Sequence, residues 1–188
     1  MSHFVVHDSN FKTVYLCLMS NTSIRFRLVS LGILFFLSFQ FNTSTAQLGI
    51  GATAPEIRLP DSLGKWKPLS EVNGKLILID FWAAWCYPCV KSMPDVVKLY
   101  EKYHDKGLEI YAVSLDKNYY NWVEMCRKLQ LPFVLVNDPY GFNGKACQEY
   151  QVNSIPHKLL LKDGKIIGAE MSLYDLEKKI EQELSTSK

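Results

Sequence analysis

The hydrophobic pattern of residues 47–188 alternates between two periodicities. Short, nearly continuous apolar runs are typical of strands that are buried on both faces of a sheet, and apolar residues three and four positions apart are typical of one helix face. The runs that predict strands are 76–81, 108–115, 133–136, 158–162 and 165–169. The stretches that predict helices are 88–106, 119–129, 144–150 and a last helix that ends near residue 184.

Helix-capping and turn-forming residues set the boundaries of these predicted elements. Gly107 ends the first helix, Asn118 is a candidate N-cap of the second, and residues 172–175 could cap the last. An Asp-Gly pair at residues 163–164, between two apolar runs, predicts a tight hairpin turn. Residues 49–60 carry few helix signals and are predicted to be extended. This order of elements predicts an α/β protein whose last strands are antiparallel.

The first 46 residues have a different pattern. Arg25 and Arg27 precede an apolar run at residues 28–39, and the small residues Ser44 and Ala46 occupy the −3 and −1 positions at the end of the segment. This is typical of a secretory signal peptide cleaved after Ala46, with Met19 as a candidate true start. The apolar run is shorter than the ~20 residues of a membrane span. The alternative is an uncleaved, somewhat short membrane anchor.

Composition and charge narrow the class of protein. The chain has 188 residues, of which 48% are apolar and 21% charged, as expected for a globular protein. Three basic side chains and one acidic side chain lie in the first 46 residues, so the full chain's 21 basic and 19 acidic side chains reduce to 18 of each beyond them. This balanced charge gives no indication of the excess of basic residues that is typical of nucleic-acid-binding proteins. Export would place the chain where disulfides persist.

The candidate chemistry lies at Cys86 and Cys89, where a predicted strand meets a predicted helix. Pro88 is tolerated in the first helical turn because its missing N–H would have no partner there. The helix N-terminus would lower the pKa of the Cys86 thiol and make it the attacking thiolate, with Cys89 as the resolving thiol. Two alternatives remain open: half of a zinc site, which needs four ligands, and a static structural disulfide.

Residues 80–89 (DFWAAWCYPC) resemble the active-site segment of thioredoxin. The wider pattern resembles the TlpA/ResA branch of exported thioredoxin-like reductases: residues 49–61 resemble an opening motif shared by that branch and the peroxiredoxins, and residues 119–138 resemble its inserted helix and strand. The resemblance covers about residues 48–184. It implies a thioredoxin fold at residues 47–188, with a central mixed β-sheet flanked by helices and an extra N-terminal strand segment.

The resemblance also implies roles for individual residues. Pro156 would be a cis-proline that faces the dithiol, with Ile155 before it. The residues expected to contact the substrate are Trp85, Tyr87, Pro88, Ile155 and Pro156. No metal ligand and no cofactor is assigned.

Three residues depart from the family pattern. Tyr87, between the two cysteines, would perturb the reduction potential in a direction that the sequence does not fix. His157 follows the cis-proline, where threonine is usual, and it is either a histidine at the rim or a group that tunes the thiolate or binds metal. Asp80 occupies a strand position where many members of the branch carry Asn. Its apolar neighbours should raise its pKa, which would let it accept the proton of Cys89. The alternative is a solvated carboxylate at the strand end.

The remaining cysteines and the aromatic residues also lead to expectations about the structure. Cys126 and Cys147 could form a second disulfide or remain buried free thiols, and the sequence leaves this open. Trp82 and Trp85 flank the dithiol and are expected to shape the surface that meets protein substrates. The remaining aromatic residues considered are expected in the core; they are Trp66, Tyr119, Tyr120 and Trp122.

Together these features predict an exported thiol-disulfide oxidoreductase that acts on protein disulfides, with reduction favoured as its direction. A membrane thiol relay would supply its electrons, the expected location is periplasmic or secreted, and the signal peptide would be its only membrane contact. One alternative is a module that binds and delivers copper or another soft metal through Cys86, Cys89 and His157. The other is a thiol peroxidase.

Overall fold

The computed structural model describes residues 48–186. The predicted signal peptide, the candidate start at Met19 and the cleavage site after Ala46 lie outside these residues. None of the helices within residues 48–186 has the length and apolar character that a membrane crossing requires.

A small antiparallel hairpin precedes the main sheet. It consists of β1 (Arg58–Pro60) and β2 (Trp66–Pro68). Asp61 stabilises the turn because its Oδ1 accepts hydrogen bonds from the N–H groups of Leu63 and Lys65, at 2.8 and 2.9 Å. The extended prediction for residues 49–60 agrees with β1, but β2 was not predicted. Three residues are too few to show the alternation by which a strand is recognised.

Five strands form the central sheet, in the spatial order β5-β4-β3-β6-β7. They are β3 (Leu76–Trp82), β4 (Leu108–Ser114), β5 (Val134–Asn137), β6 (His157–Lys162) and β7 (Lys165–Ala169). Strands β3, β4 and β5 are parallel, whereas β6 is antiparallel to both β3 and β7. This confirms the predicted mixed sheet with antiparallel last strands.

Helices flank this sheet and lie close to their predicted positions. They are α1 (Tyr87–Tyr103), α2 (Tyr119–Lys128), α3 (Lys145–Glu149) and α4 (Leu173–Ser185). Asn118 caps α2 by accepting hydrogen bonds from two backbone N–H groups, and Ser172 caps α4 in the same way through one. Helix α1 ends three residues earlier than predicted, in a 3₁₀ turn that Gly107 closes with a left-handed φ of 114°.

Strand β3 lies between β4 and β6, so both of its edges are hydrogen-bonded, and its C-terminal end leads directly to the candidate dithiol. Its side chains are buried almost throughout, Trp82 included. The antiparallel register places Asp80 opposite Lys158 and Phe81 opposite His157. The centre of the sheet therefore brings two charged residues together beneath the site.

Four aromatic predictions can be checked against burial. Trp122 is buried, as expected. Trp66, Tyr119 and Tyr120 are exposed, so their assignment to the core is wrong. Tyr119 and Tyr120 lie in the first turn of α2, where apolar character alone does not say which face meets the sheet.

Candidate active site

The two candidate cysteines are joined by a disulfide at the N-terminus of α1, with their Cα atoms 5.3 Å apart. Cys86 is the N-cap residue of α1, and its Sγ accepts a hydrogen bond from the N–H of Cys89 at 3.3 Å. Cys86 is 5% exposed and Cys89 1%. The first cysteine is thus the more accessible of the two, and a backbone donor points at its sulfur.

The loop before β6 faces this disulfide. The Ile155–Pro156 peptide is cis, as the resemblance implied, and the Ile155 carbonyl oxygen lies 3.8 Å from Cys86 Sγ. The predicted substrate-contacting residues Trp85, Tyr87 and Pro88 are exposed beside it. Pro156 is exposed as well, and Ile155 is half-buried. The tertiary structure therefore brings these two chain segments to one face.

Trp82 lies apart from this exposed set. Its side chain is fully buried, and its indole Nε1 has no hydrogen-bond partner among the described residues. The expectation that Trp82 helps to shape the surface is therefore wrong. The reason is that Trp82 still belongs to β3, whereas Trp85 lies in the loop beyond the strand.

Asp80 is buried in the middle of the sheet rather than solvated at a strand end. Burial raises the pKa of its carboxyl, and the positive charge of Lys158 partly opposes that rise. Lys158 Nζ forms an ion pair with Asp80 Oδ1 at 3.0 Å, and Oδ2 has no hydrogen-bond partner among residues 48–186. The apolar neighbours of Asp80 along the sequence predicted the direction of the pKa shift, but nothing in the sequence indicated Lys158 as its partner.

A second buried carboxylate, which the sequence analysis missed, holds the loop before the dithiol. Asp116 Oδ2 accepts hydrogen bonds from the Ala84 N–H and from the Ser114 hydroxyl, both at 2.8 Å. Asn137 Nδ2 donates to the Asp116 carbonyl oxygen at 2.9 Å and to Ser114 Oγ at 3.0 Å. The sequence feature that could have revealed Asp116 is the set of polar residues that end or follow the parallel strands β4 and β5. Functional sites in such sheets lie at the carboxyl ends of the strands.

His157 lies directly after the cis-proline, with its ring edge toward Phe81 at a centroid distance of 6.1 Å. Burial lowers the pKa of His157, Glu170 raises it in part through a contact of 3.6 Å from Nδ1 to Oε1, and the charge of Lys158 lowers it further. The imidazole is therefore neutral at pH 7. A neutral ring stabilises a thiolate less than a charged one would.

Cys126 and Cys147 do not form a disulfide with each other. Burial raises the pKa of each thiol to about 12, and the charges of Asp116 and Asp138 add to the effect at Cys126 and Cys147 respectively. Both are thus protonated at neutral pH, and thiols in that state are poor nucleophiles. Within residues 48–186, no group of three His, Cys, Asp or Glu side chains is arranged to hold a metal ion.

A mixed sheet, a CxxC disulfide at a helix N-terminus and a cis-proline facing it define a class of thioredoxin-like redox protein. The AhpC/TSA family model matches residues 50–176, so the chain belongs to the AhpC/TSA family. Among curated relatives, the thiol-disulfide oxidoreductase ResA of Bacillus thuringiensis subsp. konkukian (strain 97-27) is 33% identical over 155 residues, which cover 79% of this chain and 88% of the relative.

Solved structures give the same result. The thioredoxin domain of a thiol-disulfide oxidoreductase from Bacteroides vulgatus has a TM-score of 0.67 and 31% identity, covering 72% of this chain and 98% of that one. A thiol:disulfide interchange protein from Bacteroides sp. has a TM-score of 0.68 and 30% identity, covering 75% and 93%. The predicted thioredoxin fold is therefore confirmed, and the chain is a thiol-disulfide oxidoreductase.

Proposed function

We propose that this protein is exported and reduces disulfide bonds of other proteins, with Cys86 as the attacking thiol and Cys89 as the resolving thiol. One observation carries the proposal. Cys86 is the more exposed of the two cysteines, and its Sγ accepts a hydrogen bond from the Cys89 N–H and lies beside the Ile155 carbonyl of the cis Ile155–Pro156 peptide. That N–H stabilises the thiolate form, which is the nucleophile in disulfide exchange.

In the first step, the Cys86 thiolate attacks one sulfur of the substrate disulfide. A bond forms between Cys86 Sγ and that sulfur, and the second substrate sulfur leaves as a thiolate that takes up a proton. In the second step, Cys89 gives its proton to the Asp80 carboxylate and attacks Cys86 Sγ. The bond between Cys86 Sγ and the substrate sulfur breaks, that sulfur leaves as a thiolate that takes up a proton, and the Cys86–Cys89 disulfide forms. The substrate has then gained the two electrons that the protein has lost.

Asp80 suits the role of proton acceptor. Burial makes its carboxylate a stronger base than an exposed aspartate, while Lys158 lets it ionise in an apolar sheet. The exposed residues around the dithiol would contact the substrate; they are Trp85, Tyr87, Pro88 and Pro156, with Ile155 beside them. The resemblance of Asp80 and Ile155 to the corresponding positions of thioredoxin favours reduction over oxidation.

The order of the thiols is tested by trapping the mixed disulfide. We expect reduced Cys89→Ser to accumulate a covalent complex with a disulfide-bonded protein substrate, because the resolving thiol is missing. Cys86→Ser should form none, since Cys89 is more deeply buried. Non-reducing electrophoresis followed by mass spectrometry of the linked peptides would show this, and a complex linked through Cys89 would contradict the assignment.

Export rests on the pattern of residues 1–46, and regeneration of the dithiol outside the cytoplasm would need a membrane thiol relay as the dithiol donor. N-terminal sequencing of the protein from its native cells should find Gln47 as the first residue, in the periplasmic or secreted fraction. A chain that begins at Met1 or Met19 and stays in the membrane fraction would instead indicate an uncleaved anchor.

A further inference from the structure

A groove of about 380 Å³ begins beside the dithiol. It is lined by Trp85, the residue before Cys86, together with Tyr140 and Phe142, in the segment between β5 and α3. The Trp85 and Phe142 rings are tilted by 59°, with their centroids 6.4 Å apart. Trp85 is 59% exposed, Tyr140 72% and Phe142 40%. We call this feature the aromatic groove.

The aromatic groove is open and continues past Trp85. A second hollow, of about 250 Å³, shares Trp85, Asp116 and Asn121 with it and extends along α2 to Met125 and Lys128. Large exposed aromatic side chains grouped in one place are typical of interaction sites. Two adjoining open hollows fit an extended polypeptide better than a compact small molecule.

Polar groups along the channel also fit a peptide. Lys117 and Asn121 line the aromatic groove and can donate hydrogen bonds to peptide carbonyl groups. Asp116 also lines the aromatic groove, but its Oδ2 already accepts hydrogen bonds from Ala84 and Ser114. The channel thus combines aromatic side chains with hydrogen-bond donors.

We propose that the aromatic groove binds the polypeptide segment next to the reacting cysteine of a disulfide substrate, and that it selects segments with an aromatic or large aliphatic residue close to that cysteine. This inference rests on the proposed function, because a substrate linked to Cys86 must lie beside Trp85. That continuity with the dithiol identifies the occupant as the substrate chain itself.

Two matched peptides test the selection. Each has one cysteine carrying 2-nitro-5-thiobenzoate through a disulfide, flanked by phenylalanine in one peptide and by serine in the other. Cys86 attacks the peptide sulfur, the sulfur–sulfur bond to the reporter breaks, and the coloured thiolate leaves; Cys89 then forms the Cys86–Cys89 disulfide and releases the peptide thiol. The measured quantity is the second-order rate constant for the full chain after reduction.

We expect the wild-type protein to react with the phenylalanine peptide about three- to tenfold faster than with the serine peptide, the size of one well-placed aromatic contact. Phe142→Ser should bring this ratio close to one. Tyr140→Ser, at a more exposed position where folding is not at risk, should lower the ratio as well. The control is Tyr174→Ser on α4, which is exposed, does not line the channel and should leave the ratio unchanged.

Three results would overturn the inference while leaving the proposed function intact. The first is equal rates for the two peptides in the wild type. The second is a rate ratio that stays unchanged in both Phe142→Ser and Tyr140→Ser. The third is a wild-type dimer that either substitution dissociates, because a second copy of the chain would then cover the groove. Failure of the reduced wild-type protein to react with either peptide would overturn the proposed function itself.

Discussion

Asp80 and Lys158 form a charged pair in the centre of the β-sheet, 3.0 Å apart and both buried. Withdrawing two charges from water is costly, and their mutual attraction offsets that cost only while both are present. Burial raises the pKa of Asp80 and Lys158 holds the rise in check. The carboxylate is therefore a stronger base than that of a solvated aspartate.

We expect Asp80→Asn to slow the resolving step by roughly 100-fold at neutral pH, the scale of general base catalysis. Only the ionised carboxylate accepts a proton, so the wild-type rate should rise with pH through the raised pKa of Asp80. The variant should lose that inflection and depend on ionisation of Cys89 alone. Single-turnover decay of a preformed mixed disulfide, measured against pH, checks this; an unchanged profile would exclude Asp80 as the base.

Lys158→Met is the matched control. It also leaves one buried charge without its partner, so both variants should lose stability, by about 3–5 kcal/mol where the remaining group stays charged. Its effect on the pH profile should differ, however. Without the lysine charge the pKa of Asp80 rises further, so the inflection should move to higher pH and persist. Urea unfolding of both variants would separate this effect from a general loss of structure.

At the scale of elements, the carboxyl ends of β4 and β5 anchor the loop that carries the dithiol. Ser114 and Asn137 end these strands, and Asp116 follows β4 by two residues. The hydrogen bond from the Ala84 N–H to Asp116 ties the loop after β3 to the loop after β4. The position of Cys86 thus depends on the neighbouring strand as well as on its own helix.

Asp116→Ala should destabilise the protein by about 1–3 kcal/mol, because the N–H of Ala84 and the hydroxyl of Ser114 lose their buried acceptor. It should also slow the attack by Cys86, since the loop is no longer held. Asp116→Asn retains a carbonyl oxygen and should cost less. Urea unfolding and the rate of the first exchange step are the two measurements.

The control for Asp116→Ala is Ser172→Ala, which removes the cap of α4 far from the dithiol and should cost about 1 kcal/mol. It should leave the exchange rate unchanged. If both variants slowed exchange equally for equal loss of stability, a specific anchoring role for Asp116 would be wrong.

At the scale of the whole molecule, the reduction potential of the Cys86–Cys89 pair reports how strongly the fold prefers the disulfide over the dithiol. In this two-electron couple, 30 mV corresponds to about 1.4 kcal/mol. A reductant should therefore be more stable towards urea in its oxidised form, whereas a strong oxidant is one whose reduced form is stabilised.

For the proposed reductase we expect a potential near or below about −250 mV, measured by equilibration in a dithiol redox buffer. We also expect a higher urea midpoint for the oxidised form than for the reduced form. A potential above about −180 mV would contradict the reductase direction and indicate an oxidant or isomerase. That result would leave the exchange chemistry at Cys86 in place.

Features that depend on neighbours within a few residues were predictable from the sequence. The strand and helix periodicities, the caps at Asn118 and Ser172, the Asp-Gly turn and the placement of Cys86 at the start of α1 all follow from local interactions. The cis form of the peptide before Pro156 came from the resemblance instead, since most X–Pro bonds are trans.

Features that depend on distant parts of the chain were decided by the tertiary structure. The register between β3 and β6 brings Lys158 to Asp80, and the packing of two loops brings Asp116 to Ala84. Local sequence does not contain that register, because it results from which strands pair and how the whole sheet excludes water. For the same reason Trp82 is buried while Trp85 is exposed, although each has the same side chain. The sequence by itself determined the chemistry at Cys86 and Cys89, and the folded sheet decided which groups surround it.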